Sequence, residues 1–202
     1  MNINRLITIL ATIIVMGTFS FGQGNNKMTD YLHLPGPIEF DKKTYNLSWT
    51  SHPTGNYYKQ EYIPAGQTPD KFKNMILVEV LTGNMKISDA AGSKLAELKK
   101  MKETNPHVYY ETYDNPTTGE FMIDFLLTAN AADGKINIAE RNIYRYKQVV
   151  PRNGQSGIFL FGLSLRSYGE AASSFIAASK ANKKTLVDQV ARFKLPEIKI
   201  SR

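Results

Sequence analysis

The chain has 202 residues, of which 42% are hydrophobic, and that is enough for one domain with a substantial core. It contains no cysteine, which excludes thiol catalysis, zinc–thiolate sites, iron–sulfur clusters and disulfide bonds. The formal net charge of +7 is compatible with nucleic acid, anionic lipid or an acidic partner.

Residues 1–22 are predicted to be a cleaved signal peptide. A basic start precedes an apolar run over residues 6–16, and Ser20 and Gly22 are small residues at the positions that signal peptidase reads. The run is shorter than the about 20 residues that span a bilayer, although an uncleaved anchor is the alternative. We therefore expect a periplasmic or secreted protein, typical of a Gram-negative bacterium, which argues against nucleic acid as a partner.

The next part of the chain is predicted to form a polar leader and a series of short strands. The leader covers residues 23–37, and Pro69 is preceded by Thr68, which predicts a short helical segment through residue 74. Alternation in the third strand places Tyr45, Leu47 and Trp49 on one half-buried face. The predicted strands are 31–34, 38–40, 44–51, 57–63 and 75–81.

Two long helices and further strands follow. The first helix is predicted from Ser88 to Asn105, and the second covers residues 170–193 with a break or bend at residues 182–184. The strand at residues 157–168 is apolar on both faces for most of its length, which indicates a position in the middle of the sheet. The buried stripe predicted for the first helix consists of Ala91, Leu95, Leu98 and Met101.

The strongest hairpin signal lies between residues 121 and 147, where an Asp-Gly pair separates two runs of β-branched and aromatic residues. A two-residue turn places Asp124 opposite Ile143 and diagonal to both Arg141 and Arg145. Such a cluster is typical of a structural ion pair that fixes register. It could instead line a ligand pocket, because arginine binds carboxylate or phosphate well.

The turn of this hairpin resembles the second half of an EF-hand calcium loop. The first half lacks oxygen ligands, because Ala129 and Ala131 occupy the positions that should supply them. The flanking segments also read as strands. We expect no metal and no cofactor.

The pattern of elements predicts a single α+β domain over residues 38–202. Hairpin signals outnumber crossover signals, so we expect a mainly antiparallel sheet flanked by the two long helices, as an α/β sandwich.

An aromatic and charged hairpin is the main candidate for a binding surface. Aromatic and charged side chains on neighbouring strands can recognise a sugar, a lipid headgroup or a protein, although tyrosine is also common in half-buried strands. The predicted binding residues are Trp49, Tyr57, Tyr58, Lys59, Glu61, Arg145 and Arg166.

Two other functions remain open from the sequence. One is a hydrolase acting on envelope polymers, with Asp124, Glu140 or one of the histidines His33, His52 and His107 as acid or base; no catalytic set stands out. The other is peripheral association with an anionic membrane surface. Its candidate residues are Lys94, Lys99, Lys100, Lys183 and Lys184.

The order of elements resembles the PsbP-like α/β-sandwich families, which are named after extrinsic photosystem II subunits and include bacterial exported proteins. The features that carry this resemblance are the hairpin ending at residues 57–63, the helix-then-strand over 72–81, the long hairpin with residues 140–144, and the last strand and helix. The resemblance spans most of residues 38–195. It implies a non-catalytic accessory or binding module of the cell envelope, with an envelope protein or a small ligand as partner.

Overall fold

The computed structural model describes residues 28–150 and 156–200, and the predicted signal peptide lies outside them. Eight strands and three helices make up the described part. In chain order they are β1 (Ile38–Phe40), β2 (Lys43–Thr54), β3 (Tyr57–Ile63), β4 (Asn74–Thr82), α1 (Ile87–Thr104), β5 (Tyr109–Asn115), β6 (Glu120–Asn130), β7 (Ile136–Val149), β8 (Gly157–Tyr168), α2 (Ala171–Ala181) and α3 (Lys183–Arg192).

The eight strands form one sheet in the order β1-β2-β3-β4-β8-β7-β6-β5, and every neighbouring pair is antiparallel. The predicted α+β class is confirmed. The central position predicted for residues 157–168 is also confirmed, because β8 pairs with β4 on one side and β7 on the other. A strand with helices above and below it has no solvent-facing side, which explains its continuous apolar sequence.

The sheet separates two hydrophobic cores. On one face, which we call the α1 face, Leu98 of α1 packs with Ile123 and Phe125. On the other, the α2–α3 face, Val187 and Val190 of α3 pack with strand residues. The predicted break in the second long helix is confirmed, since α2 ends at Ala181 and α3 begins at Lys183.

Two short predicted elements are wrong. Residues 31–34 are not a strand, because His33 has φ 49° and the segment is bound by side chains: the Leu32 N–H donates to Gln60 Oε1 at 3.0 Å. Leu32 is fully buried, so part of the predicted leader belongs to the folded core. Residues 68–71 form a tight turn closed by one isolated bridge rather than a helix, Phe72 is buried just after it, and β4 already begins at Asn74. One feature of the PsbP-like resemblance therefore lacks its helix.

The register predicted for the β6–β7 hairpin is confirmed, with Asp124 opposite Ile143. The turn itself is longer than predicted, because the Ala131 N–H donates to the Lys135 carbonyl and Gly134 takes a left-handed conformation with φ 81°. A register shift next to Asn130 adds one residue on β7 and compensates for the longer turn. The faces of both strands therefore stay as predicted.

Gly157 permits the close approach of β8 to β4. A Cβ atom at this position would lie 2.7 Å from the carbonyl oxygen of Leu81, so Gly157→Ala should lower the free energy of unfolding by about 1–3 kcal/mol. The control is Gly92→Ala in α1, where no atom lies within 4 Å of the added Cβ and a gain of about 0.5–1 kcal/mol is expected. Urea denaturation measures both. A Gly157→Ala variant as stable as the natural chain would contradict the packing described.

Candidate functional site

A cavity of about 450 Å³ opens between α2, the edge strand β5 and the loop that precedes β5. Its apolar wall comes from three elements: Val108 of the loop, Leu126 of β6 and Ile176 of α2. Its polar lining is largely basic. The polar residues are Lys102, His107, Tyr109, Asp124, Arg141, Ser179, Lys180 and Lys183.

The Asp124–Arg141 ion pair forms the inner end of the cavity. Arg141 Nε and Nη2 donate to the two carboxylate oxygens of Asp124 at 2.9 Å each, and both side chains are almost completely buried. Its Nη1 donates to the carbonyl of Ser179 and Nη2 to that of Lys183, both at 3.0 Å. The guanidinium is therefore occupied by protein, and the predicted structural ion pair has the expected bidentate geometry.

Arg145, which was predicted both as a partner of Asp124 and as a binding residue, does neither. Its Nε donates to Glu120 at 2.9 Å, and Nη1 donates to the carbonyls of Val190 and Phe193 at 3.0 and 2.8 Å. Glu120 and Asp124 are both diagonal to Arg145 in the sheet. The hydrogen bonds of Arg145 with the end of α3 favour the pair with Glu120. The side chain is buried and has no face open to a ligand.

The lysines at the outer rim of the cavity differ in whether they form ion pairs. Lys183 pairs with Glu111 and donates to the Tyr109 hydroxyl at 2.9 Å. Its hydrogen bond is the main reason why the pKa of Glu111 lies below its ordinary value. Lys102 and Lys180, by contrast, form no ion pair with any residue in the described part of the chain.

The predicted binding hairpin is divided between the two faces of the sheet. A register shift between Leu47 and Trp49 turns Trp49 to the α1 face, so its predicted alignment with Tyr45 is wrong. Trp49 is 39% exposed, and the Lys59 ammonium lies 5.5 Å from its ring centre. Tyr58 lies on the opposite face, buried and stacked on His52 with ring centres 4.1 Å apart.

Glu79 is a buried carboxyl on the α1 face that sequence reasoning did not select. It lies opposite Lys59 in the sheet and beside the hydroxyl of the buried Tyr57. Burial raises the pKa of Glu79, against the lowering influence of Lys59. Burial alone would lower the pKa of Lys59, but Glu61 at 3.0 Å and the nearby Glu79 raise it overall. The sequence signal for Glu79 was that it is the single polar residue in the apolar run over residues 75–81.

Arg166 and Glu140, two further predicted candidates, bind each other across β7 and β8. Arg166 also lies 4.0 Å from the ring centre of Phe72, and Glu140 accepts a hydrogen bond from Asn142 at 2.9 Å. Both residues belong to an ion pair on the α1 face, away from the cavity.

The three histidines are not brought together. His107 lines the cavity, whereas His52 lies beneath Tyr58 and His33 lies in the segment before β1. Within residues 28–150 and 156–200, no three histidine or acidic side chains form a cluster that could hold a metal ion.

The five predicted membrane-binding lysines do not form one free surface. Lys94 is 2% exposed and pairs with Glu97 at 2.9 Å, so its assignment to an outer face is wrong. It follows Ala90 and Ala91 at helical spacing, and those two buried alanines were the sequence signal for its position. Lys184 is paired with Asp188 at 3.0 Å. None of the helices in the described ranges has the length and apolar character to cross a bilayer.

Comparison with known proteins identifies a family. A protein-family model aligns with residues 32–195, which is well over half of the chain. The chain belongs to that family. The matched span contains every described strand and helix and all residues that line the cavity. No curated protein and no solved structure matches the chain.

Arg141 should be essential for stability. Arg141→Met keeps much of the side-chain volume but leaves Asp124 as a buried unpaired carboxylate, which should cost about 3–5 kcal/mol of unfolding free energy. The control, Lys184→Met, removes an exposed ion pair with Asp188 and should cost less than about 1 kcal/mol. Urea titration followed by circular dichroism measures both. Similar losses in the two variants would show that the buried pair has no special role.

Glu79 should make stability depend on pH. Its folded pKa is raised by burial, so the stability it contributes is full below the unfolded pKa of about 4.3 and is lost as pH rises through the folded value. Glu79→Gln cannot lose a proton there. Its unfolding free energy relative to the natural chain should therefore increase from pH 4 to pH 8, while the exposed control Glu103→Gln lacks this trend. A Glu79→Gln difference that is flat or falls with pH would contradict the burial argument.

Proposed function

We propose that this protein is an exported, non-catalytic binding protein of the bacterial cell envelope. Its ligand is a small molecule with an anionic group and an apolar part, held in the cavity between α2 and β5. Periplasmic or secreted localisation follows from the predicted signal peptide. The accessory role is also what the PsbP-like resemblance implies, and that resemblance stays a prediction.

The observation that carries the proposal is which charged groups of the cavity already have an ion-pair partner. Asp124 is the one carboxylate among its lining residues, and Arg141 already neutralises it. Lys102 and Lys180 remain at the rim without ion-pair partners in the described part, next to an apolar wall. A ligand carboxylate or phosphate would form ion pairs with these two ammonium groups, because charge-assisted hydrogen bonds are about twice as strong as neutral ones.

The size of the cavity supports a small ligand. Ligand pockets have volumes of about 300–1,000 Å³ and combine mostly apolar walls with a few polar groups that fix orientation. At about 450 Å³, this cavity has room for a headgroup and a short acyl or aryl part.

The state of the acidic residues favours binding over the hydrolase considered from the sequence. A general acid or base needs a free proton position within reach of a substrate. Both oxygens of Asp124 accept from Arg141, and Glu140 is bound by Arg166 and Asn142. His107 is the remaining candidate from that set beside the cavity, and within the described ranges no carboxylate forms an ion pair with it.

Octyl phosphate, octanoate and the neutral octyl glucoside test the proposal by calorimetry with the purified mature chain. The two anions should bind, and the neutral compound should bind at least about tenfold more weakly, a difference of about 1.4 kcal/mol. The variant Lys102→Ser/Lys180→Ser should lose about tenfold in affinity for the anions.

Lys99→Ser/Lys100→Ser is the matched control, since it removes the same charge from exposed positions that do not line the cavity. It should bind like the natural chain. Equal losses in the two double variants would instead support the diffuse electrostatic attraction expected for a membrane-surface protein. Failure of both anions to bind would reject the proposed ligand class.

A further inference from the structure

The strand β5 forms one edge of the sheet, and its outer backbone is open. Its seven residues pair with β6 in continuous register from Tyr109 to Asn115, without a bulge. Among the described residues, no segment other than β6 pairs with it. Its sequence, YYETYDN, contains no proline and no lysine. Bulges, proline and lysine are the features by which natural proteins usually protect an edge strand from pairing with another chain.

The opposite edge of the same sheet is protected. There β1 has three residues and covers the first part of β2 alone. The rest of β2 contains two register shifts and Pro53. Bulges and proline both discourage strand addition. The contrast between the two edges singles out β5 as the edge that is suited to pairing.

We propose that β5 pairs with β5 of a second copy of this chain, antiparallel and about a two-fold axis at Thr112. This register makes the strand self-complementary. On the α1 face it places Tyr110 opposite Asp114 of the second copy, and on the α2–α3 face it places Glu111 opposite Tyr113. Asp114 thus faces the Tyr110 side chain of the second copy, while the Tyr113 hydroxyl donates to Glu111 of its own chain at 2.8 Å, and no like charges are directly opposite.

Neighbouring cations compensate for the acidic character of the strand. Lys102 lies over the Tyr110 ring, 5.5 Å from its centre, and would therefore lie close to Asp114 of the second copy. Asp114 has no ion pair within the described part of its own chain. Lys183 already neutralises Glu111. This charge complementarity favours a second copy over a peptide of unrelated sequence.

The pairing has a consequence for the cavity. A two-fold axis between antiparallel strands is perpendicular to the sheet, so both α2–α3 faces point the same way. Tyr109, the first residue of β5, lines the cavity. The cavities of the two copies would therefore lie on the same side of the joined sheet. The inference rests on the edge strand and does not depend on which ligand the cavity takes.

Sedimentation equilibrium with the purified mature chain tests the pairing directly. The average mass should rise from one chain towards two as concentration increases from about 10 to about 500 μM, the range expected for a small interface. Thr112→Lys places two like charges side by side at the axis and should keep the mass at one chain. The control Asn46→Lys, at an exposed position on β2, should behave like the natural chain.

A cross-link then tests the register, using the absence of cysteine from the natural chain. Opposed residues of antiparallel strands have Cα atoms about 4.5–5.5 Å apart, which lies within disulfide range. Thr112→Cys should therefore form a covalent dimer on mild oxidation, at least about tenfold faster than Asn46→Cys at equal concentration.

A mass of one chain throughout the concentration range would overturn the proposal. A dimer that persists in Thr112→Lys would also overturn it, because another surface would then be responsible. Circular dichroism and the unfolding midpoint confirm that each variant is folded. Should Thr112→Lys unfold, the rate of the Thr112→Cys cross-link decides: equal rates for the two cysteine variants reject the pairing about Thr112.

Discussion

The structure depends on two buried arginines of β7 that bind the helical layer to the sheet. Arg141 and Arg145 each pair with a carboxylate on β6 and also donate to main-chain carbonyls. Arg141 binds those of Ser179 near the end of α2 and Lys183 at the start of α3, and Arg145 binds those of Val190 near the end of α3 and Phe193 just after it. The last carbonyls of a helix have no partner within the helix and carry its partial negative charge. A buried guanidinium is tolerated when its donors are used. The contacts with Ser179 and Val190 therefore give the buried arginines acceptors and give carbonyls in the last turns of α2 and α3 donors.

These contacts also explain how the cavity is formed. Arg141 binds the carbonyl of Ser179 before the helix break and that of Lys183 after it, which fixes the break over β7. Lys183 then begins α3 and extends towards Glu111 and Tyr109 on the edge strand. The cavity is thus enclosed by rigid elements, and its inner cation is unavailable to a ligand. The proposed anion recognition therefore rests on Lys102 and Lys180 at the rim, which form no ion pair within the described part of the chain.

The sequence was most informative where one period dominates over a long segment. The β6–β7 register, the central β8 and the break near Asn182 were predicted, because turn residues and apolar runs specify them locally. The bulge that turns Trp49 over was not, since one extra residue leaves the alternation pattern almost unchanged. Lys94 was misplaced because its long apolar stem packs in the core while its ammonium reaches Glu97.

Only part of the candidate site was predicted, again because local sequence patterns do not report long-range packing. Asp124 and Arg141 were selected together as an ion-pair cluster and His107 as a separate signal, but their assembly with Lys102 and Lys180 depends on how α2 lies over the sheet, a long-range property. Charged side chains of the sheet form ion pairs with one another on both faces. Arg166 pairs with Glu140 and Lys59 with Glu61 on the α1 face, and Arg141 pairs with Asp124 on the α2–α3 face. Groups that are satisfied inside the fold have little left to offer a ligand. Around β5, two lysines without ion pairs in the described part of the chain, an exposed tyrosine and an open backbone edge lie together. The proposed ligand binding and the proposed self-association both draw on this edge of the sheet.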